Sequence, residues 1–285
     1  MFNPAANPQD IAQRLYRYDK LAKHRVGTVD DITEETVRNY RELGYVAIDG
    51  VLSADELEKA IQDISDTIHG KIVGPKIQYF KGKREMEEAG HFLTPEEHEF
   101  TVRKLHKFID YCPNLHHICY HPKIRKVLEM VFGEKPRFCE DQALLKPPSK
   151  EAGIEKPWHQ DMAYSNFSFT KMVAGVWIAL DEAALDNGCM HVIPRSHKNG
   201  PVPHYAVRDW QLCDTAVDVQ KDEAVPLRSG GILVFSGLLH HGTPPNLSNK
   251  RRRALQFHYA PESAVKMTPD QYKTVFTNEM TQAEC

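Results

Sequence analysis

The stretch Pro157-Trp158-His159-Gln160-Asp161 sets an imidazole and a carboxylate one residue apart. Along an extended strand successive side chains alternate between faces, so His159 and Asp161 point the same way. Such a pair is two thirds of the 2-His-1-carboxylate arrangement that holds a metal such as non-heme Fe(II) and leaves coordination positions open. Taken alone, His-x-Asp is common and fits a solvated strand end equally well. The matching piece lies downstream, where His240-His241 precedes a strand carrying Arg252. Adjacent histidines on a strand face opposite ways, so one of the two at most completes a site.

That downstream strand alternates in a telling manner. Arg252, Ala254, Gln256 and His258 share one face; Arg253, Leu255, Phe257 and Tyr259 share the other. The apolar face suits packing under helices, and the face with Arg, Gln and His suits a barrel interior that receives a polar ligand. Arginine's planar fork matches a carboxylate in two places. Read by itself, though, Arg251-Arg252-Arg253 is a solvated basic run.

Outward from this core, residues 9–25 suggest a peripheral helix. Thr33-Glu34-Glu35 opens a helix that Gly44 stops, Tyr45-Val46-Ala47-Ile48 reads as a short strand, and Ser53 with Glu56 forms a capping box ahead of Leu57, Ala60, Ile61, Ile64 and Ile68 at helical spacing. Thr94-Pro95 and His121-Pro122 start two more helices. Residues 71–90 are polar and aperiodic, the texture of a lid or binding loop. Beyond Pro136, candidate strands fall at 137–145, 158–163, 172–180, 190–193, 224–227, 231–235 and 253–259. A helical first half and a strand-rich second half predict an α+β chain built on an antiparallel barrel or jelly roll.

Composition narrows the function classes. The 285 residues are 41% hydrophobic and 26% charged, with a formal net charge of −3, which disfavours a nucleic-acid partner. No apolar run approaches the roughly eighteen residues of a membrane span. The N-terminal residues lack the charged and apolar regions of a signal peptide. The six cysteines, Cys112, Cys119, Cys139, Cys189, Cys213 and Cys285, are scattered, so no disulfide framework or zinc site is expected, and a cytoplasmic location is.

Several motifs occur together: Lys146-Pro147-Pro148, Trp158-His159-Gln160-Asp161, Val176-Trp177-Ile178-Ala179-Leu180, Asn187-Gly188-Cys189-Met190, Pro194-Arg195-Ser196-His197, and His241-Gly242-Thr243 through Asn246 to Arg252. In this order they resemble the phytanoyl-CoA dioxygenase family, over roughly residues 45–260. The resemblance implies a double-stranded β-helix (a cupin-like jelly-roll barrel) with flanking N-terminal helices, residues 31–285 forming one catalytic domain behind a helical extension at 1–30. It implies Fe(II), 2-oxoglutarate as cosubstrate and O2. His159, Asp161 and His241 would ligate iron, with His240 facing away. Arg252 would hold the distal carboxylate of 2-oxoglutarate, helped by Thr243, while Lys104, Gln142 and Trp177 line the cosubstrate site. The reaction implied is oxidative loss of CO2 to give succinate, with hydroxylation of a small organic molecule at carbon. The carboxylate at Asp161 favours this over halogenation, and desaturation or cyclisation stay open.

For the substrate, the aromatic segment 164–169 and residues 71–90 are candidate walls, with core packing the competing reading for Phe167 and Phe169. Arg195, where many relatives carry glycine, is a candidate anion contact. His191 and His197 read as core or rim histidines, and His258 as a possible pocket residue. The sequence shows no obvious basic cluster. The alternative to an enzyme is a non-catalytic ligand-binding protein that keeps the barrel; a cupin-like Zn or Mn isomerase has no evident use for Arg252. A monomer is the default.

Overall fold

The computed structural model describes residues 7–80, 93–148 and 155–285. Its helices begin where the caps foretell. Thr33 and Thr36 cap α2 (Glu34–Leu43), and Ser53 with Glu56 caps α3 (Ala54–Ile68), each reciprocally. Helix α2 stops at Gly44, whose φ of 89° and 2.5 Å gap between a built Cβ and His197 Nδ1 both exclude a side chain. Among the described residues the other α-helices are α1 (Pro8–Leu15), α4 (Pro95–Phe100), α5 (Pro113–Cys119), α6 (Pro122–Phe132) and α7 (Pro269–Phe276), all with proline at the first turn.

Eight strands form one sheet: β1 (Arg25–Thr28), β2 (Tyr45–Gly50), β12 (Ile232–Ser236), β7 (Ala174–Ala179), β14 (Arg252–Pro261), β5 (Pro136–Lys146), β4 (Val102–His106) and β3 (Lys76–Tyr79), in that order. Only the β1–β2 pair is parallel among these. A second sheet runs β11 (Glu223–Val225), β8 (Met190–Val192), β13 (His241–Thr243) and β6 (Lys156–His159). A short hairpin, β9 (Tyr205–Ala206) with β10 (Trp210–Gln211), forms a separate two-stranded sheet, and the Trp210 indole donates to the Ala163 carbonyl (2.8 Å). The chain is thus α+β with a large antiparallel sheet. The expected helical first half is corrected: besides the short strand expected at 45–48, which is β2, it also supplies β1, β3 and β4 to that sheet.

The two faces of β14 separate two cores. Leu255, Phe257 and Tyr259 pack with Ile64, Leu115 and Leu128 under α3, α5 and α6. Burial of Phe257 alone contributes about 2–3 kcal/mol. On the opposite face Ala254 joins Trp177, Leu233 and Phe235 of the large sheet against Met190, Val192 and Val225 of the small one. The cavity opens where this inter-sheet core gives way to polar side chains.

Residues 8–28 are more engaged than a peripheral helix. Helix α1 ends at Leu15, short of the expected 9–25, because the chain then runs extended along the small sheet, with Leu21 bridged to Ala224. Tyr16 stacks on Trp158 at 5.3 Å, and the Trp158 indole donates to the Leu15 carbonyl (2.8 Å). The expectation of unpaired cysteines is also corrected: Cys213 and Cys285, 72 residues apart, form a disulfide with Cα atoms 5.2 Å apart. Their distance in sequence hid this. Among the described residues no helix is long and apolar enough to cross a membrane.

Candidate active site

Strand β6 ends at His159, and Gln160 continues extended (φ −112°, ψ 132°) before a short 3-10 turn begins at Asp161. The expected strand at 158–163 is therefore shorter, yet alternation survives long enough to aim both side chains inward. Across the ladder His241 pairs directly with His159. The Nε2 atoms of both histidines stand 3.4 Å from Asp161 Oδ1. Carbonyls only accept, so Nδ1–H of His159 donates to Pro157 O (2.8 Å) and Nδ1–H of His241 to Leu239 O (2.9 Å). Each bond fixes the tautomer that leaves the Nε2 lone pair facing Asp161. The three ligand atoms lie within 4.8 Å of one another and are buried.

Protonation states agree with a cation site. Burial, then His241 and Lys156, hold the His159 imidazole down to about 4. Burial pushes the Asp161 carboxyl up, but His241, His258 and the hydrogen bonds outweigh it and hold the group well below its ordinary range. A neutral imidazole and an ionised carboxylate are the forms that coordinate a divalent metal. Asp161 Oδ2 is occupied separately: it accepts from Gln256 Nε2 (3.0 Å) and His258 Nε2 (2.9 Å). Sequence reasoning placed these two on the inner face of β14 and missed this bond, which spans more than ninety residues. His258 in turn stacks on Phe167 at 3.8 Å, so Phe167 serves both core and cavity.

His159, Asp161, His241, Arg252, Lys104, Gln142, Trp177 and Thr243 all line one cavity of about 880 Å³. Arg252 is 2% exposed, its guanidinium carbon 5.2 Å above the Trp177 ring. Its Nε and Nη1 have no hydrogen-bond partner, and burial lowers it to about 10. A buried cation left open in this manner is costly without an anion. The basic run resolves into three fates: Arg251 pairs with Glu99, Arg253 with Asp181, and Arg252 alone turns inward.

Lys146, opposite Arg252 on β5, is a residue whose part in the site sequence reasoning missed. Its Nζ donates to Thr243 Oγ1 (2.9 Å) and to the carbonyls of Thr243 and Pro244. Burial, then Arg252, pull it well below the ordinary lysine range. Gly188 makes room for it: φ is 84°, and a Cβ there would sit 2.7 Å from the Pro244 carbonyl and 3.0 Å from Lys146 Nζ. Asn246 braces the same loop, donating to Pro147 O (2.8 Å) and Lys250 O (2.6 Å). Lys-Pro-Pro, Asn-Gly and Asn246 thus converge behind Arg252.

Other histidines fall elsewhere. His240 faces away from the triad, toward a second, smaller cavity, its Nε2 unpartnered. His191 is held by Asp222 (2.9 Å), and His197 bonds the Arg41 carbonyl (3.1 Å). Arg195 is corrected: it lies outside the main cavity, exposed and paired with Glu42 (3.0 Å). Its φ of 71° is a left-handed conformation that glycine adopts most readily. Residues 81–90 of the expected lid lie outside the described residues, and 76–79 are strand β3. One further cluster, Glu56, His117 and His121, also gathers ligand atoms. His121 Nδ1, however, accepts from the Lys123 amide at a helix start, so its Nε2 carries the proton toward Glu56.

Residues 40–254 match the family described as phytanoyl-CoA dioxygenase (PhyH). A relative in Stutzerimonas stutzeri, named probable alpha-ketoglutarate-dependent hypophosphite dioxygenase, is 30% identical over 240 residues, covering 81% of this chain and 79% of its own. Phytanoyl-CoA dioxygenase domain-containing protein 1 of Danio rerio is 23% identical, covering 86% and 95%. Among solved structures, EvdO2 from Micromonospora carbonacea var. aurantiaca complexed with 2-oxoglutarate superposes with a TM-score of 0.65 at 23% identity, covering 87% and 99%. The epimerase SnoN in complex with Fe3+, alpha ketoglutarate and nogalamycin RO gives 0.62 at 21%, covering 82% and 86%.

Proposed function

The chain belongs to the phytanoyl-CoA dioxygenase family, and from that premise we propose that it is an Fe(II)- and 2-oxoglutarate-dependent oxygenase that hydroxylates a small organic molecule at carbon. One observation carries the reading: His159, Asp161 and His241 converge in a cavity that also holds the unpaired, buried Arg252. In this reading the two sheets and their shared core are the double-stranded β-helix.

His159, Asp161 and His241 hold the metal, and three protein ligands leave room for cosubstrate and dioxygen. Bound Fe(II), with 2-oxoglutarate and O2, supplies the oxidation: the cosubstrate loses CO2 to become succinate, and one oxygen atom enters a C–H bond of the substrate. The protein's own part is positional. Gln256 and His258 occupy Asp161 Oδ2, so the carboxylate presents Oδ1 to the metal. Arg252 takes the distal carboxylate of 2-oxoglutarate without changing protonation. Lys146 donates to Thr243 Oγ1, which turns the Thr243 hydroxyl hydrogen outward to the same carboxylate. Trp177 forms the wall under the guanidinium, and Lys104 and Gln142 complete the cosubstrate's surroundings. The chain acts as a monomer in this proposal.

Succinate release from 2-oxoglutarate tests it, with Fe(II) added under air. Release that depends on Fe(II) and disappears in His241→Ala supports the oxygenase. Absence of both turnover and metal-dependent 2-oxoglutarate binding returns the chain to the ligand-binding alternative.

A further inference from the structure

The cavity floor beyond the metal carries two groups that the proposed reaction does not use, Lys76 and His106. Inward-facing side chains of four neighbouring strands fall in one row: Lys76 opposite His106, His106 opposite Gln142, and Gln142 opposite Gln256, which bonds Asp161. Lys104 lies beside this row, opposite Gln78. Lys76 is exposed at the mouth, while Lys104 and His106 are half-buried. Among the described residues none of the three has a hydrogen-bonding or ion-pairing side-chain partner. Of the acids lining the same cavity, Asp209 is paired with Arg103 (2.9 Å) and Lys156 (2.8 Å) and Asp141 accepts from the Phe108 and Ile109 amides, while Glu140, bonded to the neutral amides of Asn166 (3.0 Å) and Gln142 (3.4 Å), and Asp110 keep their charge.

We propose that the substrate is a small organic oxyanion, a carboxylate or phosphoryl compound, whose charged end is seated by Lys76 and His106 with Lys104 at its inner edge. This rests on the oxygenase reading and names its substrate class. Lys76 and Lys104, diagonal to each other across adjacent strands, repel; Glu140 in the same lining offsets part of their charge, and a bound anion offsets the rest. The cosubstrate does not provide it, since one of its carboxylates goes to the metal and the other to Arg252. Burial, then Lys104, lower His106, so at neutral pH it meets an oxyanion as a neutral hydrogen-bond donor. Three interstrand spacings separate Lys76 from Gln256, about 14 Å between backbones, which places the anion on the order of 10 Å from the reacting carbon. The sequence hid this cluster because Lys76, Lys104 and His106 come from two strands with a long connection between them.

The test is calorimetric titration of protein loaded with Zn(II), which is redox-inert, and 2-oxoglutarate. Benzoate and phenylphosphonate are the anionic probes, and benzamide is the uncharged control. Expected is at least about tenfold tighter binding of the anions, as charge-assisted hydrogen bonds supply. Lys76→Glu and His106→Leu should each erase most of that preference, Lys76→Arg should keep it, and 2-oxoglutarate affinity should change less than about twofold in all three. Benzamide binding as tightly as benzoate, or a preference that survives Lys76→Glu, overturns the proposal. Failure of wild-type protein to bind 2-oxoglutarate, read in the loading step, would instead overturn the oxygenase reading beneath it.

Discussion

Arg252 is the side chain whose surroundings are least complete without a ligand: buried, cationic, and open at Nε and Nη1. Replacing it with methionine should weaken 2-oxoglutarate binding by on the order of a hundredfold, the loss of a two-pronged charged contact. The same change should leave the ligand-free protein as stable or more so, because an unpaired buried charge is removed. Isothermal titration and urea unfolding measure the two effects; retained binding with lost stability contradicts the role. His258→Leu removes one of two bonds to Asp161 Oδ2 and should lower Zn(II) affinity by roughly ten- to a hundredfold, measured by chelator competition. At this scale the sequence was informative about faces and silent about partners. It put Gln256 and His258 beside Arg252, but nothing local joined them to Asp161, and nothing marked Lys146 as the support of Thr243.

Strand β14 shows what an element contributes, since one face packs under helices and the other builds the site. Phe257→Ala, on the helix face, should cost about 3–5 kcal/mol in urea unfolding while the metal ligands keep their positions, so that Zn(II) affinity at low denaturant is little changed. Gly188→Ala acts the other way. It strains a left-handed residue and crowds Lys146 and the Pro244 carbonyl, so the KM for 2-oxoglutarate should rise several-fold with a stability loss of about 1–3 kcal/mol. Helix starts were legible because caps are local chemistry: Ser53 with Glu56, Thr33 and His121 all cap as read. Strands β3 and β4 were not. Their inner faces line the cavity and carry Lys, Gln and His, so the polar residues masked the period-2 signal. Strand β13 is too short, at three residues, to announce itself.

Across the whole molecule, burial of several imidazoles sets the response to acid. Desolvation holds His159 and His240 at about 4 and His204 at about 3. An unfolded histidine titrates near 6.5. Between that pH and about 4 the unfolded chain therefore binds protons that the folded chain refuses, and stability is lost as pH falls through this window. The slope approaches about 1.4 kcal/mol per pH unit for each group. The urea midpoint of metal-free protein should thus be clearly lower at pH 5 than at pH 7, and equal midpoints would contradict the account. The large antiparallel architecture was readable from alternation beyond Pro136, whereas the docking of residues 8–28 onto the small sheet and the Cys213–Cys285 disulfide depend on contacts no spacing reveals. The most direct measurement is a crystal structure grown anaerobically with Fe(II) and 2-oxoglutarate. It should show one metal on His159, Asp161 and His241 with a 2-oxoglutarate carboxylate on Arg252. Metal bound instead at Glu56, His117 and His121, or Arg252 left without an anion, would contradict the central claim.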